Sequence, residues 1–181
     1  MRSRSFIPSR ADLLAPEFVT VDFETANRRG GPSACQIALV KVAGDEIVET
    51  LVSYLRPPEE HMSFEFTHIH GIRAEDVADA PYFFDIADDV AGFVDGLPVW
   101  AHNAAFDAAV WRGLDDYYCT GTVPERFYCT YRTARRAIPG LPNYKLPTVT
   151  AVCAPSFELV HHAADSDAIA CAHIVRYLRL R

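Results

Sequence analysis

Apolar and polar positions along the chain sort into two periods. Residues 18–25 form an apolar stretch closed by two acids; along an extended strand side chains alternate, so Asp22 and Glu24 share one face and Val21 and Phe23 the other. Stretches 35–42 and 47–55 are β-rich and separated by Gly44-Asp45, a pair suited to a hairpin turn. Three strands on short links predict an antiparallel start to a sheet. Further on, Phe83, Ile86, Ala87, Val90, Phe93 and Val94 recur at helical spacing, which predicts a helix over 82–94. Residues 97–101 and 127–130 read as short strands. Helices are expected over 104–114, 131–137, 146–152 and 164–180, with Pro139-Gly140 ending the second of these. The aromatic and histidine-rich stretch 64–72 reads as loop or short helix. Residues 1–16, polar and carrying Pro8 and Pro16, are expected to form an irregular N-terminal arm, leaving 17–181 as a single domain. Strands that first run antiparallel and then alternate with helices predict an α/β fold, a central mixed sheet flanked by helices.

Composition narrows the class. A chain of 181 residues, half of them hydrophobic and 23% charged, can bury a sizeable core. Its formal charge of −7 excludes a protein that coats duplex DNA through a broad basic field. A nuclease remains compatible, because bound cations reverse the sign of an acidic cleft. The five cysteines, Cys35, Cys119, Cys129, Cys153 and Cys171, are odd in number and lack C-x-x-C spacing. They argue against a disulfide framework or a structural zinc and read as small buried residues of a reducing compartment. With no secretory leader pattern at the N-terminus and no apolar run long enough to cross a bilayer, the expectation is a cytoplasmic protein without a membrane partner.

Three stretches carry chemistry. Asp22 and Glu24 place two carboxylates on one strand face, where they repel unless the strand end meets solvent or a hard cation such as Mg²⁺ or Mn²⁺. His102-Asn103-Ala104-Ala105-Phe106-Asp107 stands where a strand hands over to a helix; Asp107 alone is equally a first-turn acid favoured by the helix dipole, and His102 and Asn103 equally local caps. In the third, His161-His162-Ala163-Ala164-Asp165-Ser166-Asp167, a histidine precedes the last helix and Asp167 lies about one turn inside it. An adjacent histidine pair is often one packed and one exposed residue, and both acids can again serve the helix dipole.

In order and spacing, Asp22-x-Glu24, HNAAFD ending at Asp107, and His162 with Asp167 five residues on resemble the three motifs of the DEDD exonuclease superfamily in its histidine-containing DEDDh subgroup. That group includes the proofreading epsilon subunit of bacterial DNA polymerase III, ribonuclease T and oligoribonuclease. The likeness spans the chain from about Phe18, and Ile69-His70-Gly71-Ile72 is similar to a segment of the epsilon-like branch. It implies a ribonuclease H-like fold and metal-dependent hydrolysis of phosphodiesters from the 3′ end of DNA or RNA. Two divalent cations, Mg²⁺ or Mn²⁺, would act on the attacking and leaving oxygens. By this likeness Asp22 would bridge both ions, Glu24 and Asp167 would hold the nucleophile-side ion, Asp107 the other, and His162 would be the general base. Asp165 is a minor rival to Asp167, while His161 would need Ser166 at the same offset.

Substrate contacts divide between the residues and the resemblance. A 3′-terminal nucleotide could pack against Phe23, Phe66, Ile69 or Phe106, although Phe23 and Phe106 read first as core. The resemblance places Thr25 and His70 near the nucleotide. Arg28, Arg29, Arg132, Arg135 and Arg136 either meet phosphates or form solvated surface. The chain ends at Arg181, directly after the last predicted helix, so the expectation is a stand-alone exonuclease rather than a polymerase-held subunit, on single-stranded more than duplex ends, with a homodimer open. A non-catalytic nucleic-acid- or polymerase-binding module of the same fold is the alternative, against which the intact acids speak.

Overall fold

The computed structural model describes residues 6–181. Five strands form one sheet: β1 (Glu17–Thr25), β2 (Ala34–Ala43), β3 (Glu46–Tyr54), β4 (Val99–Ala101) and β5 (Phe127–Cys129), in the order β3-β2-β1-β4-β5. β1 pairs antiparallel with β2, and β2 with β3 across the tight Gly44-Asp45 turn; β4 and β5 add in parallel. This is the mixed α/β sheet expected, its first three strands antiparallel.

The helices are α1 (Arg10–Leu13), α2 (Thr67–His70), α3 (Ala87–Val94), α4 (Ala104–Tyr118), α5 (Thr130–Ala137), α6 (Leu146–Cys153) and α7 (Ala164–Arg179). One face of β1 (Val19, Val21, Phe23) joins a core with Val90 and Phe93 of α3 and Trp111 and Leu114 of α4. The other face of the sheet packs on α7 through Phe18 of β1, Trp100 of β4 and the small α7 residues Ala164, Ala168 and Ala172. Alanines at four-residue spacing let this helix lie close to the sheet, and the buried Thr20 hydroxyl pins it by donating to the Ala168 carbonyl at 2.7 Å. That contact is one residue from Asp167, so packing of α7 also sets the site.

Three expectations need correction. The arm is not wholly irregular: Ser9 caps the short helix α1, accepting from the Asp12 amide, and Leu13 packs against α7. Phe6 also docks, its carbonyl accepting from the Cys129 amide at 2.7 Å and its ring meeting Phe127; residues 1–5 lie outside those described. The helix expected over 82–94 is broken, a 3-10 turn over Phe83–Asp85 preceding α3, because the Asp85 carboxylate accepts from the Tyr82 amide and closes a separate turn. Lastly, Cys119 is exposed, standing in left-handed conformation where α4 ends one turn later than expected, and Cys153 is half-buried; all five cysteines are free.

Candidate functional site

β1 runs past its parallel neighbour, pairing with β4 only at Val19 and Thr20, so Asp22 to Thr25 stand beyond the carboxyl edge of the parallel strands. Crevices at such edges, where strand direction changes across a sheet, are ordinary ligand sites. Here the crevice is a pocket of about 740 Å³. Asp22, Glu24 and Asp167 line its floor, with Thr25, Phe66, Ile69, His70 and Phe106 around them and His161 and His162 across.

Each acid arrives from a different element. Asp22 and Glu24 lie on the β1 face turned to α7, which brings Asp167; oxygen atoms of these three lie within 4.8 Å of one another. Asp107 comes from the first turn of α4, is 1% exposed, and accepts from the Phe23 amide at 3.3 Å, which fastens α4 to the strand between the two β1 acids. Burial raises all four carboxyls; repulsion from neighbouring acids adds to it at Asp22, Glu24 and Asp107, whereas at Asp167 the His162 amide and His161 oppose it. Burial is the larger cause throughout: Glu24 and Asp107 are each pushed up to about 8, and Asp22 and Asp167 also rise. Four adjacent acids that resist ionisation lack only positive charge, and an all-oxygen donor set fits a hard divalent cation.

The histidines differ in how they meet Asp167. His161 Nδ1 lies 2.9 Å from Asp167 Oδ2, whereas His162 meets that oxygen through its backbone amide, which donates at 3.1 Å. The His162 backbone is left-handed, with φ of 69°. The two rings stack at 3.8 Å, and both residues are exposed, so the expected division into one packed and one exposed histidine is not found. Burial first, then His161, lowers the His162 pKa. His70 is held by both ring nitrogens: the Ile72 amide donates to Nδ1 at 3.0 Å, so Nε2 carries the proton and donates to the Thr25 carbonyl at 3.1 Å.

Phe23 is core, packed edge-on against Trp111 at 5.5 Å, but Phe106 is not: it is 44% exposed and faces the pocket, because the first turn of α4 overhangs the sheet edge. Asp165 is exposed and does not line the pocket. None of the five arginines lines it either; Arg28 pairs with Glu65 at 2.8 Å, and Arg132 and Arg135 lie over Phe6 and Tyr131. Sequence reasoning missed three lining residues, Tyr131, Lys145 and Leu146, which stand in no motif. By sequence His102 is either a local cap or a site residue. It lines the pocket, and its ring spans Thr130 Oγ1 and the Tyr144 carbonyl, each at 2.9 Å, with burial pushing its pKa down to about 4.

Residues 19–175 match a family model, RNase_T, described as an exonuclease. The epsilon subunit of DNA polymerase III from Rickettsia conorii is 32% identical over 91 residues, covering 49% of this chain and 40% of that protein. The 3′-5′ exonuclease DinG of Bacillus subtilis is 28% identical over 157 residues, covering 83% of this chain and 16% of DinG. This chain thus spans less than half the length of either relative. Among solved structures, exonuclease X in complex with 5′ overhanging duplex DNA superposes with a TM-score of 0.67 at 25% identity, covering 90% of this chain and 92% of that one. The nuclease domain of 3′hExo, a DEDDh family member bound to rAMP, gives 0.74 at 14% identity, covering 89% and 90%, and shares the fold.

Proposed function

The chain belongs to the RNase_T exonuclease family, and from that membership we propose that it removes nucleotides one at a time from the 3′ end of a polynucleotide, with divalent cations in the pocket. The observation that carries the reading is the cluster of four carboxylates contributed by β1, α4 and α7: Asp22, Glu24 and Asp167 line the floor of a pocket with apolar walls, and Asp107 is buried behind it against the Phe23 amide. Asp22, Glu24 and Asp167 would hold one cation, and Asp22 with Asp107 a second; Mg²⁺ and Mn²⁺ suit these oxygens. When bound, such ions offset phosphate charge and make water acidic enough to attack near neutral pH.

The chain's own groups do the rest. Phe66, Ile69 and Phe106 grip the terminal base, an apolar contact that tolerates any base. His70, fixed on the Thr25 carbonyl, holds the β1 end against α2. His162 takes the proton of the attacking water. Its imidazole stands over the pocket without a side-chain hydrogen bond among the described residues, and its lowered pKa keeps it neutral and able to accept. His161, by contrast, is engaged on Asp167 and orients that carboxylate.

A terminal base gripped in the pocket must leave its pairing partner, which favours splayed single-stranded ends over paired ones. Free cysteines, and no helix among the described residues long and apolar enough to cross a membrane, are compatible with a cytoplasmic site of action. The test is a 5′-labelled single-stranded oligonucleotide, DNA and RNA in parallel, incubated with Mg²⁺ or Mn²⁺. Stepwise shortening from the 3′ end that stops on adding chelator is expected. Intact oligonucleotide under all conditions would sink the reading.

A further inference from the structure

Away from the pocket, the described surface carries a run of aromatic rings in mutual contact. Tyr82 and Phe84 stack with centroids 5.6 Å apart and planes 9° from parallel; Phe84 meets Tyr118 at 5.5 Å, Tyr118 meets Tyr117 at 4.8 Å, and Tyr117 meets His61 at 6.0 Å. Phe84 is 52% exposed and Tyr117 42%, so the run opens to solvent. Cations stand at both ends. Arg56 lies over the Tyr82 ring at 5.5 Å, and Arg29 donates to the Glu60 carbonyl beside His61; next to it Arg28 pairs with Glu65 at 2.8 Å while its side chain stays 77% exposed. Two nearby carboxylates are already engaged: Glu60 accepts from the Tyr117 hydroxyl at 2.5 Å, and Asp85 from the Tyr82 amide at 2.9 Å.

The run and the pocket lie toward opposite ends of one face of α4. Phe106, Val110, Gly113 and Tyr117 follow one another at three- and four-residue spacing on one face of that helix. Phe106 lines the pocket and Tyr117 belongs to the aromatic run. Between them the connection over 28–33 rides on the helix, because Gly31 meets Gly113 backbone to backbone; a Cβ at Gly31 would stand 2.4 Å from the Val110 carbonyl oxygen. That connection carries Arg28 and Arg29. Eleven residues separate Phe106 from Tyr117, about 16 Å at the helical rise, or about five nucleotides at a stacked spacing of about 3.4 Å. A strand leaving the pocket would meet cations and then rings, the combination that binds single strands without regard to sequence.

We propose that this aromatic shelf, formed by Tyr82, Phe84, Tyr117 and Tyr118 with Arg28 and Arg56 at its ends, is a second nucleic-acid site that holds the 5′-ward part of a single strand whose 3′ end occupies the pocket. It rests on the exonuclease reading and adds to it a preference for strands longer than about five nucleotides. The test compares a tetranucleotide with a hexadecanucleotide, both closed to cleavage by 3′ phosphorothioate linkages, by fluorescence anisotropy on the whole protein with Ca²⁺. Wild type should bind the longer strand more tightly. Phe84→Ala/Tyr117→Ala should weaken the longer strand roughly ten-fold and leave the tetranucleotide unchanged, in binding and, with ordinary linkages and Mn²⁺, in shortening. Should that variant not fold, Arg28→Glu/Arg56→Glu, which leaves the rings in place, is read the same way. Long-strand affinity within two-fold of wild type overturns the shelf, as does equal weakening of both strands or a change in self-association instead of strand binding. If wild type binds the longer strand preferentially yet shortens neither ordinary strand, the exonuclease reading fails and the shelf stands.

Discussion

His161 and His162 stack ring on ring, yet they reach Asp167 through different atoms, one by imidazole and one by backbone amide. That difference separates their expected losses. His162→Ala should lower single-turnover cleavage by about 10²–10⁴-fold, the usual worth of general acid–base catalysis, while melting stays near wild type. His161→Ala releases one contact to a carboxylate that still accepts from the His162 amide and should cost less than about ten-fold. Equal losses would remove the distinction, and a larger loss at His161 would reverse it. Asp22→Ala should abolish metal-dependent cleavage, since Asp22 is the acid proposed to serve both cations. At this scale the acids and His162 were legible because each sits at a fixed offset within its motif. Phe106 was not: an aromatic in the first turn of an apolar helix reads as core, and only the overhang of α4 beyond the sheet turns it outward. Tyr131 and Lys145 were equally silent, brought to the pocket by α5 and the start of α6 rather than by any local pattern.

Elements were more readable than their junctions. Every strand and most helices follow from periodicity, with bounds shifted by a residue or two, and α4 ran a turn longer than its apolar spacing indicated. What sequence pattern hid was non-local pairing. Leu13 and Phe6 anchor a segment that reads as polar arm, and nothing adjacent in sequence marks Gly31 as the partner of Gly113. The glycine contact sets how closely the connection after β1 approaches α4. Gly31→Ala should therefore force backbone apart and destabilise by about 1–3 kcal/mol, a drop of several degrees in Tm. Gly44→Ala is the informative control: its added Cβ would meet nothing within 4 Å, so any loss there comes from the positive φ of 61° alone. A Gly31 variant melting like wild type would show that the connection moves freely on the helix.

For the molecule as a whole, the four-acid cluster links stability to pH in an unusual direction. An ordinary ion-paired acid has a lowered pKa and stabilises the fold as pH rises. Here the folded values are raised, Glu24 and Asp107 to about 8 from ordinary values of 4.5 and 3.8. The folded state thus binds more protons than the unfolded state between those limits. This contribution is fully present below the ordinary values and is lost as pH rises toward about 8. Metal-free protein should lose Tm across that window, and Mn²⁺ should restore it most at the alkaline end. A Tm that rises with pH in the presence of chelator, with no alkaline gain from Mn²⁺, would contradict the cluster.

The same carboxyls imply that loading the pocket is an exchange reaction. Near pH 7 Glu24 and Asp107 are largely protonated in the empty cluster, so each cation that enters must displace hydrogen ions into the buffer. Calorimetric heats of Mn²⁺ binding should then scale with the buffer's ionisation enthalpy, and the apparent affinity should climb with alkalinity until the carboxyls are fully ionised.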